Sequence, residues 1–341
     1  MESARPTSNV PPSVATILTW LLPGAGHAVL GAWPIALLGF ALVEGLYLLG
    51  YLVSDGVVFE FLDPELRGRF ALVLAPEFGN LGALLLHQLA QPLTMPAGPV
   101  PIAPPLPPAS VHLGAVLTAT SGVLNMVLMC HAHLTALVRR HARPEQGATD
   151  QKAAADTQRA VDRTAVQVAA GWMVPGAGHW LQGRKRRALL VAVALLGVFA
   201  IGTFLSQGTN LSREHHFYYW SGQALIGLPA FVAEALRGHP PLMSVPPMID
   251  AGLFFATLAG LLNGLVLIDV YAWGESGALG RDPVADRRAM AAHRRESKSA
   301  AKRGSSGSRS GAKAPASKHL VAPHPAGAAS DVTADDAEGT R

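Results

Sequence analysis

Two histidines stand at matching places in a phrase that the chain carries twice. Residues 20–31 read Trp20-Leu-Leu-Pro23-Gly24-Ala-Gly26-His27-Ala-Val-Leu-Gly31, and residues 172–183 read Trp172-Met-Val-Pro175-Gly176-Ala-Gly178-His179-Trp-Leu-Gln-Gly183. Seven of the twelve positions are identical at an offset of 152. An imidazole after a glycine turn can ligate a metal or a haem, or hold a proton, and two of them related by a duplication could face each other across a pseudo-symmetry axis. Two histidines alone fall short of a closed metal site. The plainer use is local: a Pro-Gly break frees backbone groups, and a buried polar side chain needs such a partner.

Two asparagines repeat as well. Gly122-Val-Leu-Asn125 matches Gly260-Leu-Leu-Asn263 at an offset of 138. Each ends a stripe of small residues, Gly114, Thr118 and Gly122 in one segment and Gly252, Ala256, Gly260 and Gly264 in the other. Small residues at every fourth position let apolar helices approach closely, and an amide can then bond across the seam. These helices are expected to form the centre of the structure, with Asn125 and Asn263 as its polar glue and substrate coordination as the lesser reading. Glu44 is the one carboxylate well inside a long apolar run, and Leu196 stands at its repeat-related place. An ionisable group there is costly, which makes Glu44 a candidate proton or cation site; a protonated carboxyl hydrogen-bonded within the bundle is the simpler alternative.

Other polar residues carry weaker signals. His131 and His133 correspond to Asp269 and Tyr271, and interfacial anchoring accounts for them. The run His215-His216-Phe-Tyr-Tyr-Trp220 reads as an interfacial aromatic belt. His87, His112 and His239 are scattered without ligand spacing. Cys130, the single cysteine, excludes a disulfide framework. There is no phosphate-cradling glycine loop, nucleophile elbow, zincin helix or adjacent acid pair. The expectation is a protein that is not an enzyme and takes no cofactor.

The elements that position these residues follow from hydropathy. Half of the 341 residues are apolar and 15% are charged, and the mean hydropathy is positive. Residues 33–54 carry only Glu44 as a charged group, and residues 188–206 and 251–268 carry none. Runs of about 18–25 apolar residues match a bilayer core. The expected fold is an all-α polytopic membrane bundle built from two tandem repeats, each a Pro-Gly-broken segment plus two spanning helices. The expected boundaries are a polar leader 1–12, a first unit 13–138, a charged linker 139–163, a second unit 164–275, and a disordered basic tail 276–341.

Of the 27 Lys and Arg residues, six lie in 139–163, four in Arg184-Lys-Arg-Arg187 and twelve from Arg281 onward, with two in each of the loops 55–110 and 207–248. Positive charge marks the cytoplasmic side, so the leader, linker, Arg184–Arg187 turn and tail are assigned there. The linker and that turn then share a side, and the segment between them cannot cross once. A re-entrant hairpin turning at Pro-Gly-Ala-Gly fits, sheltered by neighbouring helices because lipid cannot satisfy its backbone. The location implied is a bacterial inner membrane with both termini cytoplasmic.

Pro23-Gly-Ala-Gly26-His27 with Gly31, and Pro175-Gly-Ala-Gly178-His179 with Gly183, each after an apolar helix and before another, resemble the motif of the two-transmembrane-helix domain family. The usual aromatic pair before the last Gly is replaced by Val29-Leu30 and Leu181-Gln182, and the basic turn is present only in the second copy. The resemblance implies membrane location, with two full spans at each motif, and little about activity. The partners expected from the sequence are the lipid bilayer, anionic lipid at the basic tail, and other membrane proteins or a second copy of the chain, with no specific nucleic acid. A scaffold or assembly component of a membrane complex heads the functional expectations, ahead of a small transporter or channel that uses the broken helices and Glu44.

Overall fold

The computed structural model describes residues 10–59, 73–94, 110–141, 151–238 and 245–282, with isolated positions 285, 288, 296 and 297. All regular structure among them is helical. In the first unit α1 (Pro12–Leu21) and α2 (Ala25–Val29) flank the first break, and α3 (Trp33–Val53) follows. A 3-10 turn (Pro76–Gly79), α4 (Leu81–Thr94) and α5 (Val111–His141) complete it. In the second, α6 (Gln151–Met173), α7 (Ala177–Leu181) and α8 (Lys185–Leu205) are followed by α9 (Phe217–Gln223), a 3-10 turn (Ala224–Ile226), α10 (Leu228–Arg237) and α11 (Ile249–Ala278).

The duplication extends to backbone angles. The 5- and 21-residue helices of the first unit recur at an offset of 152. Gly24 and Gly176, at φ +82° and +88°, both turn the chain in the left-handed region that glycine occupies at little cost. Asp55 and Gln207, at φ +52° each, end the two 21-residue helices alike.

α3, α5, α8 and α11 are long and apolar enough to cross a membrane. α5 and α11, at 31 and 30 residues, extend to about 45 Å, more than the roughly 30 Å of a hydrocarbon core. Their surplus meets the first half of α6 at the basic end, where Leu134, Val161 and Ala278 form a small core. α6 therefore continues without interruption across the boundary drawn at residue 163, and α11 runs past 275. Most of the expected disordered tail (283–341 apart from 285, 288, 296 and 297) lies outside the described residues, as do linker residues 142–150 and residues 60–72, 95–109 and 239–244, which include His239.

Each broken segment goes out and returns. Ala15 packs with Ala132 and Ala136, while Thr19, further along α1, reaches Asn125 near the middle of α5. α2 then folds back until His27 meets His131 and Arg139 donates to the Leu30 carbonyl. α6 and α7 repeat this path: Gly171 lies by Asn263, and His179 returns to Asp269. α3 and α8 leave from the same end and pack antiparallel to α5 and α11, with Gly50 against Gly114 and Gly202 against Gly252 and Ala256.

Gly122 and Gly260 face backbone. A Cβ on Gly122 would strike the Pro76 carbonyl, and one on Gly260 the Gly222 carbonyl. Gly252 abuts Ser206 and Ala256 is fully buried, whereas Gly264 meets only Leu225. The Gly252, Ala256 and Gly260 positions of the stripe are thus packed within the chain. Gly260→Leu is predicted to lower stability by about 3 kcal/mol or more, since overpacking against rigid backbone cannot relax. Gly197→Ala, which has open space around its Cα, serves as the control. Thermal unfolding in detergent reads both, and equal melting of the Gly260 variant and wild type would contradict a packed seam.

Candidate functional site

The two breaks are held by distant side chains. An α-helix carbonyl at position i bonds the N–H at i+4, and for Thr19 and Gly171 that position is Pro23 or Pro175, which has no N–H. The Asn125 amide donates to the Thr19 carbonyl at 2.9 Å, and the Asn263 amide to the Gly171 carbonyl at 3.3 Å. Each asparagine thus stands in for the proline's missing donor. Its second N–H reaches a 3-10 turn, at the Gly79 carbonyl (2.9 Å) or the Leu225 carbonyl (2.8 Å). The motif tryptophans bind the residue before: Trp20 Nε1 donates to the Phe78 carbonyl at 2.7 Å, and Trp172 Nε1 to the Ala224 carbonyl at 3.0 Å. These contacts define a third offset, 146, linking the turn at 76–79 with residues 222–225, where α9 passes into the second 3-10 turn. Neither stretch is expected from the sequence, because they share no residue identity.

Both motif histidines are fully buried, and each bonds a side chain of the long helix in its own unit. His27 Nε2 lies 2.8 Å from His131 Nδ1, and His179 Nε2 lies 3.1 Å from Asp269 Oδ2. His131 and Asp269 are themselves related by the offset of 138. This corrects three expectations: the motif histidines do not serve freed carbonyls, they do not pair with each other, and His131 is an interior partner rather than an interfacial anchor. His131 Nε2 continues to Asp162 of α6 at 2.9 Å. Two neutral imidazoles satisfy both contacts, with His27 Nε2–H donating to His131 Nδ1 and His131 Nε2–H donating to the carboxylate. In the second unit Asp269 Oδ2 also accepts from Arg184 at 3.1 Å and Arg187 at 3.2 Å, and Arg184 stacks on Trp273.

At the opposite end Glu77 and Arg213 form a fully buried ion pair of 2.7 Å between the units. Thr118 also donates to Glu77, at 2.9 Å. The Arg213 guanidinium lies 4.4 Å from the centre of the Trp220 ring, close enough for a cation–π attraction. Phe217 and Trp220 are core residues, which overturns the aromatic-belt reading for these two, whereas Tyr218 and Tyr219 stay exposed. Trp220 Nε1 donates to Glu234 at 3.0 Å. Burial raises the Glu234 carboxyl above its usual range, opposed by that N–H and by Arg213. Gln223, the repeat counterpart of Glu77, bonds Asn210 of its own unit instead.

Glu44 lies beside the buried Asn80, whose amide donates to Ser121 at 3.4 Å. The repeat-related positions hold Leu196 and Ile226, so a polar pair in one copy is an apolar pair in the other. Cys130 is a free thiol. Among the described residues, no group of three or more His, Cys, Asp or Glu could hold a metal ion.

Residues 14–145 and residues 166–283 match one family, described as a family of unknown function (DUF6677). The two segments coincide with the two structural units and support a duplicated domain. The likeness to the two-transmembrane-helix domain family rests on the motif alone. No curated protein and no solved structure matches the chain.

Two predictions follow from the paired side chains. Glu77→Gln leaves a buried guanidinium without its counter-charge and should lower stability by about 3–5 kcal/mol; adding Arg213→Leu should restore part of it, read by thermal unfolding as a double-mutant cycle. Glu44→Leu should destabilise by about 1 kcal/mol by removing the polar neighbour of buried Asn80, and Glu44→Leu with Asn80→Ile, the second unit's own combination, should recover the loss. Additive effects in either cycle would contradict the pairing.

Proposed function

The chain belongs to this family of unknown function, and we propose that it is a non-enzymatic scaffold or assembly component of a membrane complex. One observation carries the reading. Of the polar side chains kept in both copies, Trp20 and Trp172 with Asn125 and Asn263 bind the chain's own backbone, and His27 and His179 are each engaged by a side chain of the long helix in their own unit. The polar groups that could instead handle a solute or proton differ between copies: Glu44 against Leu196, Glu77 against Gln223, His131 against Asp269. Apart from the two buried histidines, the copies share their architecture and differ in their ionisable groups, as expected of a protein that presents a surface.

In this reading the ends bearing 139–163 and 184–187 face the cytoplasm of a bacterium, by the distribution of positive charge. Both broken segments enter the inner membrane from that side and leave by it. The out-and-back course of α1 with α2, and of α6 with α7, supports re-entrant hairpins over the full spans implied by the motif resemblance.

A small transporter is the second reading, favoured by the run of contacts from exposed Asp162 through His131 to buried His27. Reconstitution in liposomes separates the two. The scaffold reading predicts proton and cation flux at the level of empty liposomes, with discrete co-purifying partners after mild solubilisation. Flux above that level, lost in Glu44→Gln or His27→Leu, would establish the transporter instead.

A further inference from the structure

We propose that the groove between α8 and α11 holds one acyl chain of an anionic phospholipid, with the lipid phosphate at the Arg186–Arg187 end. The inference rests on membrane location and not on the scaffold reading. The groove has a volume of about 430 Å³ and is walled by Leu190, Val191 and Ala194 from α8 and by Leu262, Leu265 and Val266 from α11. Arg187 and Asp269 stand at one end of it. From residue 187 to 195 it runs about 12 Å along α8, enough for the upper part of an acyl chain.

Charge complementarity names the occupant. Asp269 is answered by His179, Arg184 and Arg187, and Lys185 and Arg186 add positive charge at the same exposed end. Arg187 meets Asp269 through one guanidinium nitrogen; a guanidinium carries five donors in a fork that suits phosphate. Trp180 lies at this end, half exposed, with Lys185 over its ring, as interfacial tryptophans do. A basic cluster above an apolar slot fits a molecule with an anionic head and a hydrocarbon tail, and lipid is the source of such molecules on a membrane-facing wall.

The first unit is an internal comparison. Gly39 and Leu128 stand where the second unit has Val191 and Val266, and the Leu128 side chain seats directly on Gly39. Ile35 replaces Arg187, and His131 replaces Asp269 and is engaged with His27 and Asp162. The same backbone thus carries a leucine-filled seam without basic residues in one copy, and an open slot with them in the other.

Native mass spectrometry of the full chain in detergent, titrated with phosphatidylglycerol and with phosphatidylcholine of identical acyl chains, tests the site. One phosphatidylglycerol per chain should be retained on the order of tenfold more tightly than phosphatidylcholine, the scale expected of basic groups near an anionic surface. Arg186→Gln with Arg187→Gln should reduce that affinity by a similar factor. Ala194→Leu fills the slot without changing charge and should also reduce it, whereas a contribution from the basic tail would survive this change. Val191→Leu is a second slot-filling variant should Ala194→Leu fold poorly, and Leu42→Ala, at the equivalent place in the first unit, should have no effect. Equal retention of the two lipids, or phosphatidylglycerol affinity unchanged by either the charge or the slot-filling variants, overturns the proposal.

Discussion

A proline in a helix that lipid or protein surrounds leaves one carbonyl without its donor, and neither surrounding supplies a replacement freely. In this chain the missing donor comes from an asparagine about a hundred residues away, and the arrangement occurs twice. Much of the fold depends on it. For Asn125 to reach Thr19, α5 must lie against α1 at its midpoint, and for its second N–H to reach Gly79, the 3-10 turn must lie on the same face. Close approach there requires glycine at 122, and the same chain of requirements puts glycine at 260. The small-residue stripe, the proline, the tryptophan and the asparagine are four parts of one clamp.

The clamp is conserved between the copies and the bridges between the copies are not. One bridge is polar and lies at the basic end, where Asp162 reaches His131. At the far end Arg213 reaches Glu77, and His112 lies 3.0 Å from Glu214. Between them the contact is apolar, with Ala119 and Val123 of α5 against Trp172, Trp220 and Phe231. Each bridge uses a residue whose repeat counterpart does something else: Gln223 turns to Asn210, and Asp269 gathers arginines. Divergence of this kind is what lets two copies of one unit recognise each other rather than themselves, and it sets the two copies apart at their membrane-facing seams as well.

Much of this was legible in the sequence. Apolar runs place the four long helices, the repeated phrase places the breaks at Pro23-Gly24 and Pro175-Gly176, and the matching Asn residues mark the seam. Pairings across the fold were not legible. Residues 76–79 and 222–225 act through backbone carbonyls, so nothing preserves their residue types. Glu77 and Arg213 look like ordinary loop charges until the folded chain removes them from water, and Asp162, which stays exposed, looks like an ordinary linker charge until it meets His131. Arg213 did leave one trace: it is a basic residue in a loop otherwise poor in positive charge. His131, Phe217 and Trp220 were misplaced for a related reason, since a polar or aromatic residue near a helix end fits an interface and an interior equally well.

The central claim is that each Pro-Gly break returns the chain to the end it came from. Single cysteines in place of Gln151 and Arg186, in a Cys130→Ala background, test it by labelling with an impermeant thiol reagent in intact cells. Both positions should stay unlabelled until the membrane is opened, as the proposed re-entrant course with its ends on the cytoplasmic side requires. Labelling at 186 from outside with 151 protected would mean that the segment crosses the membrane, and would contradict the account.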